Sequence, residues 1–149
     1  MTEYRLATVE ETQAFGARLA ALLRPGDLLV LSGPLGAGKT ALVQGIGRGL
    51  GVSGRVASPT FVIARVHPGP LPLVHVDAYR LGSLAEVDDL DLDVDAAEVV
   101  TAVEWGAGLV EQLADERLEI VIDRSSASDE RVITLLPHGG DWAARLVAL

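Results

Sequence analysis

The sequence predicts an α/β fold in three layers, with helices packed on a mixed, largely parallel central sheet. Three observations point to it. Short apolar runs of strand type alternate with helical patterns along most of the chain. One of these runs, at residues 28–31, passes directly into a glycine-rich loop and then into a helical stretch. The chain ends on two strand-like runs joined by a polar turn, which supplies the antiparallel part of the sheet.

Taken in order, Thr8-Val9-Glu10-Glu11 has the spacing of a capping box, with Thr at the N-cap and Glu three residues on. Phe15, Leu19, Leu22 and Leu23 then recur on one helical face, and Arg24-Pro25-Gly26-Asp27 ends the helix. Leu28-Leu29-Val30-Leu31 is continuously apolar, as a strand covered on both faces should be. Residues 39–50 read as the next helix, stopped near Gly51. Residues 56–66 are rich in β-branched side chains but interrupted by Ser58-Pro59-Thr60. Residues 71–76 form the next strand, ending at Asp77. Ser83-Leu84-Ala85-Glu86 repeats the capping-box spacing and opens a short helix before the acidic stretch 88–95. Residues 99–103 form another strand, ending at Glu104-Trp105-Gly106, and 107–113 read as helical. Residues 118–122 and 131–135 read as two strands around Ser125-Ser126-Ala127-Ser128-Asp129, and a short helix at 141–147 closes the chain.

A chain of 149 residues fits a single domain, 1–149, and at this size folding buries ~70% of the unfolded surface. Hydrophobic residues make up 49% of it, which argues against disorder, yet no apolar run approaches the ~20 residues of a membrane span. No basic region followed by an apolar one marks a secretory signal at the N-terminus. There is no cysteine, so disulfides, thiolate nucleophiles and cysteine-based zinc sites are excluded. The expectation is a soluble cytoplasmic domain. The formal net charge of −9 carries no basic patch of the kind that displaces counterions from nucleic acid, so a role in nucleic-acid metabolism would be exercised through a partner.

The chemistry concentrates in Gly33-Pro34-Leu35-Gly36-Ala37-Gly38-Lys39-Thr40, which fits G-x-x-x-x-G-K-[ST] at every fixed position. Glycines let successive backbone N–H groups turn inward as a nest for phosphate oxygens, and the following helix adds its positive end. Lys39 is the only lysine, every other basic residue but histidine being arginine. A compact ammonium on a flexible stem suits the β- and γ-phosphates better than a planar guanidinium. The strand before the loop and the helix after it make this a P-loop NTPase-like arrangement. Thr40 offers a hard oxygen to Mg2+, which also needs carboxylate help. Asp77 and Glu104 each end an apolar strand, where ligands gather in parallel α/β sheets. Which of them binds the metal directly stays open from the residues alone. Thr60 stands where a switch threonine could sense the γ-phosphate, or Pro59 could simply mark an edge strand. A calcium loop in the acidic stretch fails, because the required Gly and Glu are missing at its sixth and twelfth positions.

Together with His75-Val76-Asp77-Ala78-Tyr79-Arg80 and Val103-Glu104-Trp105, the loop and Ser58-Pro59-Thr60-Phe61 resemble the bacterial TsaE (YjeE) family. These are small P-loop ATPases of threonylcarbamoyladenosine formation at adenosine 37 of tRNA. The resemblance runs from the first helix to about Ile122. It implies that the loop residues from Gly33 to Thr40, Lys39 among them, bind ATP, and that Thr40 and Glu104 approach Mg2+. It implies switch roles for Ser58 and Thr60 and a catalytic or supporting role for Asp77, so that Lys39, Asp77 and Thr60 are the candidate catalytic residues. Tyr79, Arg80 and Trp105 would line the site's rim or a partner surface. The implied partners are TsaD-like and TsaB-like proteins, a heterodimer that transfers the threonylcarbamoyl group and holds the tRNA, while ATP hydrolysis, weak in the subunit alone, resets the assembly. The chain departs from the family pattern at Pro34, usually Asp, at Ala41, often Thr, and at Ala107, commonly acidic.

Other readings fit less well. A regulatory GTPase needs Asn-Lys-x-Asp, and the chain has no asparagine. A small-metabolite kinase, the second choice, typically adds an Arg-rich lid, whereas the segment after Arg80 is acidic. A non-hydrolysing nucleotide-dependent module would have lost the two carboxylates.

Overall fold

The computed structural model describes residues 2–33, 38–52, 64–77, 98–104, 116–124 and 130–149. Within them seven strands form one sheet: β1 (Thr2–Leu6), β2 (Leu28–Ser32), β3 (Ala64–His67), β4 (Leu73–Asp77), β5 (Val100–Glu104), β6 (Arg117–Arg124) and β7 (Arg131–His138). The described helices are α1 (Val9–Ala20), α2 (Lys39–Leu50) and, near the C-terminus, α3 (Trp142–Leu146). The strand order is β1-β7-β6-β2-β5-β4-β3. Pairing is parallel from β6 through β2 and β5 to β4, and antiparallel at both flanks. The sheet is thus mixed, with its parallel part at the centre around β2.

The residues dictate this centre. Leu29, Val30 and Leu31 are all fully buried, as are Leu73 and Val74 on β4 and Val100 and Ala102 on β5. Side chains on a strand alternate between faces, so consecutive buried positions mean that both faces are covered. On one face Leu29, Leu31, Leu73, Val100, Ala102, Leu118 and Ile120 join α1 and α2 in a single apolar core. The β6–β7 pair is the terminal hairpin read from the sequence, in register from Arg117↔His138 to Arg124↔Arg131.

α1 and α2 lie unusually close. A Cβ placed on Gly45 would stand 2.0 Å from the Gln13 carbonyl oxygen, and one on Gly16 would stand 2.5 Å from the Leu42 carbonyl oxygen. Only glycine permits backbone to meet backbone in this way. The helix that follows the phosphate loop is therefore clamped from behind by α1.

Two elements differ from the sequence reading. β1 was not expected: its residues alternate between polar and apolar, and they are mostly exposed along the edge of the sheet. The capping box at α1 forms only in part. Thr8 Oγ1 accepts the Glu11 N–H at 3.1 Å, but the Glu11 carboxylate returns to the N–H of Ala7 rather than of Thr8. Of the β-branched stretch 56–66, the described part begins at residue 64, where β3 starts and pairs antiparallel to β4. Residues 34–37, Ser58-Pro59-Thr60-Phe61, Tyr79, Arg80, the acidic stretch, Trp105, the helices expected after Ser83 and at 107–113, and the turn at 125–129 lie outside the described residues.

Candidate active site

β2 leads into the loop at Ser32, and the end of the loop is fixed by Gly38. Gly38 has φ of 106°, a left-handed conformation that costs a side-chain-bearing residue and is free to glycine. As N-cap, Gly38 supplies no side-chain hydrogen bond to the first N–H groups of α2, and the first turn of α2 carries no acid. A helix of this length presents about half a positive charge at such an end. An acid-free N-terminus of this kind is suited to an anion.

Lys39 sits at this point and is 5% exposed. Its ammonium donates to the Gly33 carbonyl at 2.7 Å, so the side chain folds back along the loop and ties the first loop residue to the first residue of α2. Gly33 itself has φ of 150°. A buried ammonium is costly unless its donors are used.

The acids stand next to the loop. Glu104, at the end of β5, is the register partner of Leu31, two residues before the loop begins. Asp77, at the end of β4, is in turn the register partner of Glu104. Adjacent strands lie ~4.8 Å apart, so one row across the sheet runs from Asp77 through Glu104 to the strand that opens the loop. Glu104 is buried, at 5% exposure, and its carboxylate contacts Nε2 of His75, which is wholly buried. His75 lies two residues before Asp77 on β4.

These donors are hard oxygens: the Thr40 hydroxyl at the head of α2, the Glu104 carboxylate and the acid Asp77 in the neighbouring register position. Mg2+ is bound by such a set, with one or two carboxylates, waters and substrate phosphates rather than an all-protein cage. No group of three or more His, Asp or Glu suited to holding a metal occurs among the described residues. The structure places Gly33 just after β2, Gly38, Lys39 and Thr40 at the head of α2, and Asp77 and Glu104 in adjacent register positions at the ends of β4 and β5. Thr60 and the loop positions Pro34, Leu35, Gly36 and Ala37 fall outside the described residues.

Two residues were given no role from sequence. His75 was noted only within its motif, and a histidine two positions before an acid on an apolar strand gives no sign of a contact on the next strand. Arg131 was not singled out. It begins β7, and because β7 runs antiparallel to β6 it starts at the loop end of the sheet. Its Nε lies 3.6 Å from where a Cβ on Gly38 would be. Only the topology reveals this second cation beside the loop.

The opposite end of β2 is built differently. Arg145 grips Asp27 with two hydrogen bonds of 2.7 and 3.0 Å, and its guanidinium stacks 3.9 Å from the centre of the Trp142 ring. Arg24 and Arg145 both bond Asp141, whose carboxyl is held below its ordinary value, chiefly by the Arg24 hydrogen bond. The Arg145 guanidinium is held above its own, chiefly by Asp27. This cluster fastens α3 to the foot of β2, away from the loop.

Comparison with known proteins gives a consistent result. A family model described as threonylcarbamoyl adenosine biosynthesis protein TsaE matches residues 6–133. A Streptomyces coelicolor protein named tRNA threonylcarbamoyladenosine biosynthesis protein TsaE is 57% identical over 142 residues, covering 90% of this chain and 95% of its own. The Bacillus subtilis protein of that name is 45% identical over 142 residues, covering 94% and 88%. A crystal structure of Bacillus subtilis YdiB superposes with a TM-score of 0.80 at 38% identity, covering 98% of this chain and 91% of that one.

Proposed function

The chain belongs to the TsaE family, and from that membership we propose that it is the ATP-hydrolysing subunit of tRNA threonylcarbamoyladenosine biosynthesis. Its relatives' names supply the pathway; the site supplies the chemistry. The observation that carries the reading is Lys39, buried at the head of α2 and bonded back to Gly33, with Glu104 in the row beside it.

In this reading the loop from Gly33 through Pro34, Leu35, Gly36, Ala37 and Gly38 to Lys39 and Thr40 cradles the ATP phosphates. Lys39 exchanges the Gly33 carbonyl for phosphate oxygens and neutralises charge as it develops on them. Arg131 adds positive charge on the other side of Gly38. Thr40 and Glu104 would hold Mg2+, which would supply positive charge to screen the phosphates. Asp77 orders the attacking water or supports the metal's ligands, and Thr60 senses the γ-phosphate. The whole chain, 1–149, acts as one cytoplasmic domain. No helix among the described residues is long and apolar enough to cross a membrane.

Hydrolysis is slow in the subunit alone and is raised by a TsaB-like and TsaD-like heterodimer, which holds the tRNA and transfers the threonylcarbamoyl group. The test is phosphate release by the purified chain with and without that heterodimer. Release should rise on addition, require Mg2+, and stay at background in Lys39→Ala. A rise that survives Lys39→Ala would refute the site.

A further inference from the structure

We propose that His75 is a positioning residue: its buried imidazole donates Nε2–H to the Glu104 carboxylate and holds that carboxylate in the row leading into the phosphate loop. The inference rests on the reading of Glu104 as the Mg2+-directed acid and adds a residue that this reading does not use.

Three observations carry it. First, His75 is wholly buried on β4 and Glu104 nearly so on β5, and Nε2 contacts Glu104 Oε2 directly. An ionised carboxylate only accepts hydrogen bonds, so the nitrogen that faces it carries the proton. Second, Nδ1 is buried with no hydrogen-bond partner among the described residues. A residue selected to fill space at this position would be apolar, since an unpaired buried nitrogen is a standing cost. The cost is explained if the position needs the other nitrogen. Third, the register leaves Glu104 beside Asp77, a second acid on the adjoining strand. A donor from the adjoining strand removes the rotamer freedom of the long Glu104 carboxylate before any cation arrives. Groups that orient metal-binding side chains in this way typically alter metal affinity about 10–100-fold when removed.

The shape of the side chain makes the test specific. A glutamine places its amide N–H where imidazole Nε2 lies, whereas an asparagine reaches only as far as Nδ1. Affinity for a non-hydrolysed ATP analogue is titrated with and without Mg2+ for the wild type and for His75→Gln, His75→Asn, His75→Leu and Glu104→Gln. Without Mg2+ the three His75 variants should bind like the wild type. The gain in affinity that Mg2+ confers should fall about tenfold in His75→Asn and His75→Leu and be largely restored in His75→Gln. If Glu104→Gln loses the gain while His75→Asn and His75→Leu keep it, the role of His75 is overturned and that of Glu104 stands. If Glu104→Gln also keeps the gain, both are overturned. Imidazole nitrogen NMR of the metal-free wild type gives an answer even if the His75 variants do not fold. Protonation at Nε2 is expected, and a tautomer with Nε2 bare would overturn the proposal.

Discussion

Lys39 and Gly38 divide the work at the loop between charge and backbone. The Lys39 ammonium makes a charge-assisted bond, a class worth about 1.5–3 kcal/mol, or roughly tenfold to hundredfold in affinity. Lys39→Ala is therefore expected to weaken ATP binding by about that factor in a calorimetric titration, with little change in folding. Gly38 acts through its conformation. With φ of 106° and Arg131 no closer than 3.6 Å to an added Cβ, the site has room for a methyl group but not the right backbone. Gly38→Ala should cost about 1–3 kcal/mol of stability, read from urea unfolding, and should weaken nucleotide binding as well. At this scale the sequence was most legible: a fixed pattern with a single lysine names its own chemistry. His75 and Arg131 were not legible, because each acts on a residue brought near it by sheet pairing rather than by chain proximity.

Elements carry the stability that keeps the loop in place. α1 and α2 touch backbone to backbone at Gly16 and Gly45, so neither helix can retreat from an added side chain without moving away from the core. Gly45→Ala is expected to destabilise by about 2–3 kcal/mol, since overpacking outweighs the helix propensity gained. At the foot of β2, Arg145→Met would leave the Asp27 carboxylate buried without its cation and should cost about 3 kcal/mol. Nucleotide affinity should be unchanged, because the cluster lies at the opposite end of the strand from the loop. Asp141 offers a pH test. Its folded pKa lies below the ordinary value of 3.8, so its contribution is complete above that pH and fades as pH falls through the lowered value. The stability difference between wild type and Asp141→Asn should be constant near neutrality and shrink below about pH 3.8. The described helices and the central strands were read within a few residues, the strands because burial on both faces writes a continuous apolar run. β1 was missed for the opposite reason: an edge strand buries one side chain in two, and a five-residue stretch of that kind has the composition of a loop.

The whole molecule is acidic, with a formal net charge of −9; Lys39 and Arg131 lie beside Gly38, and Arg24 and Arg145 lie at the foot of β2. A net charge of this sign disfavours binding of a polyanion by the isolated chain. The isolated chain should accordingly show no salt-dependent tRNA binding in a filter assay, whereas the complete assembly should. The fold class, the mixed sheet and the loop at its centre follow from alternating elements and from one strand–loop–helix unit. The pairing of β3 with β4, and the order that brings β7 to the loop end, depend on contacts between distant segments that no local pattern records. The central claim, that ATP hydrolysis at Lys39 drives repeated rounds of tRNA modification, is tested most directly by threonylcarbamoyladenosine formation in a reconstituted system with tRNA in excess over enzyme. With wild-type chain, product should accumulate well beyond one equivalent of the transferase heterodimer. With Lys39→Ala it should stop near one equivalent, and sustained turnover with that variant would contradict the account.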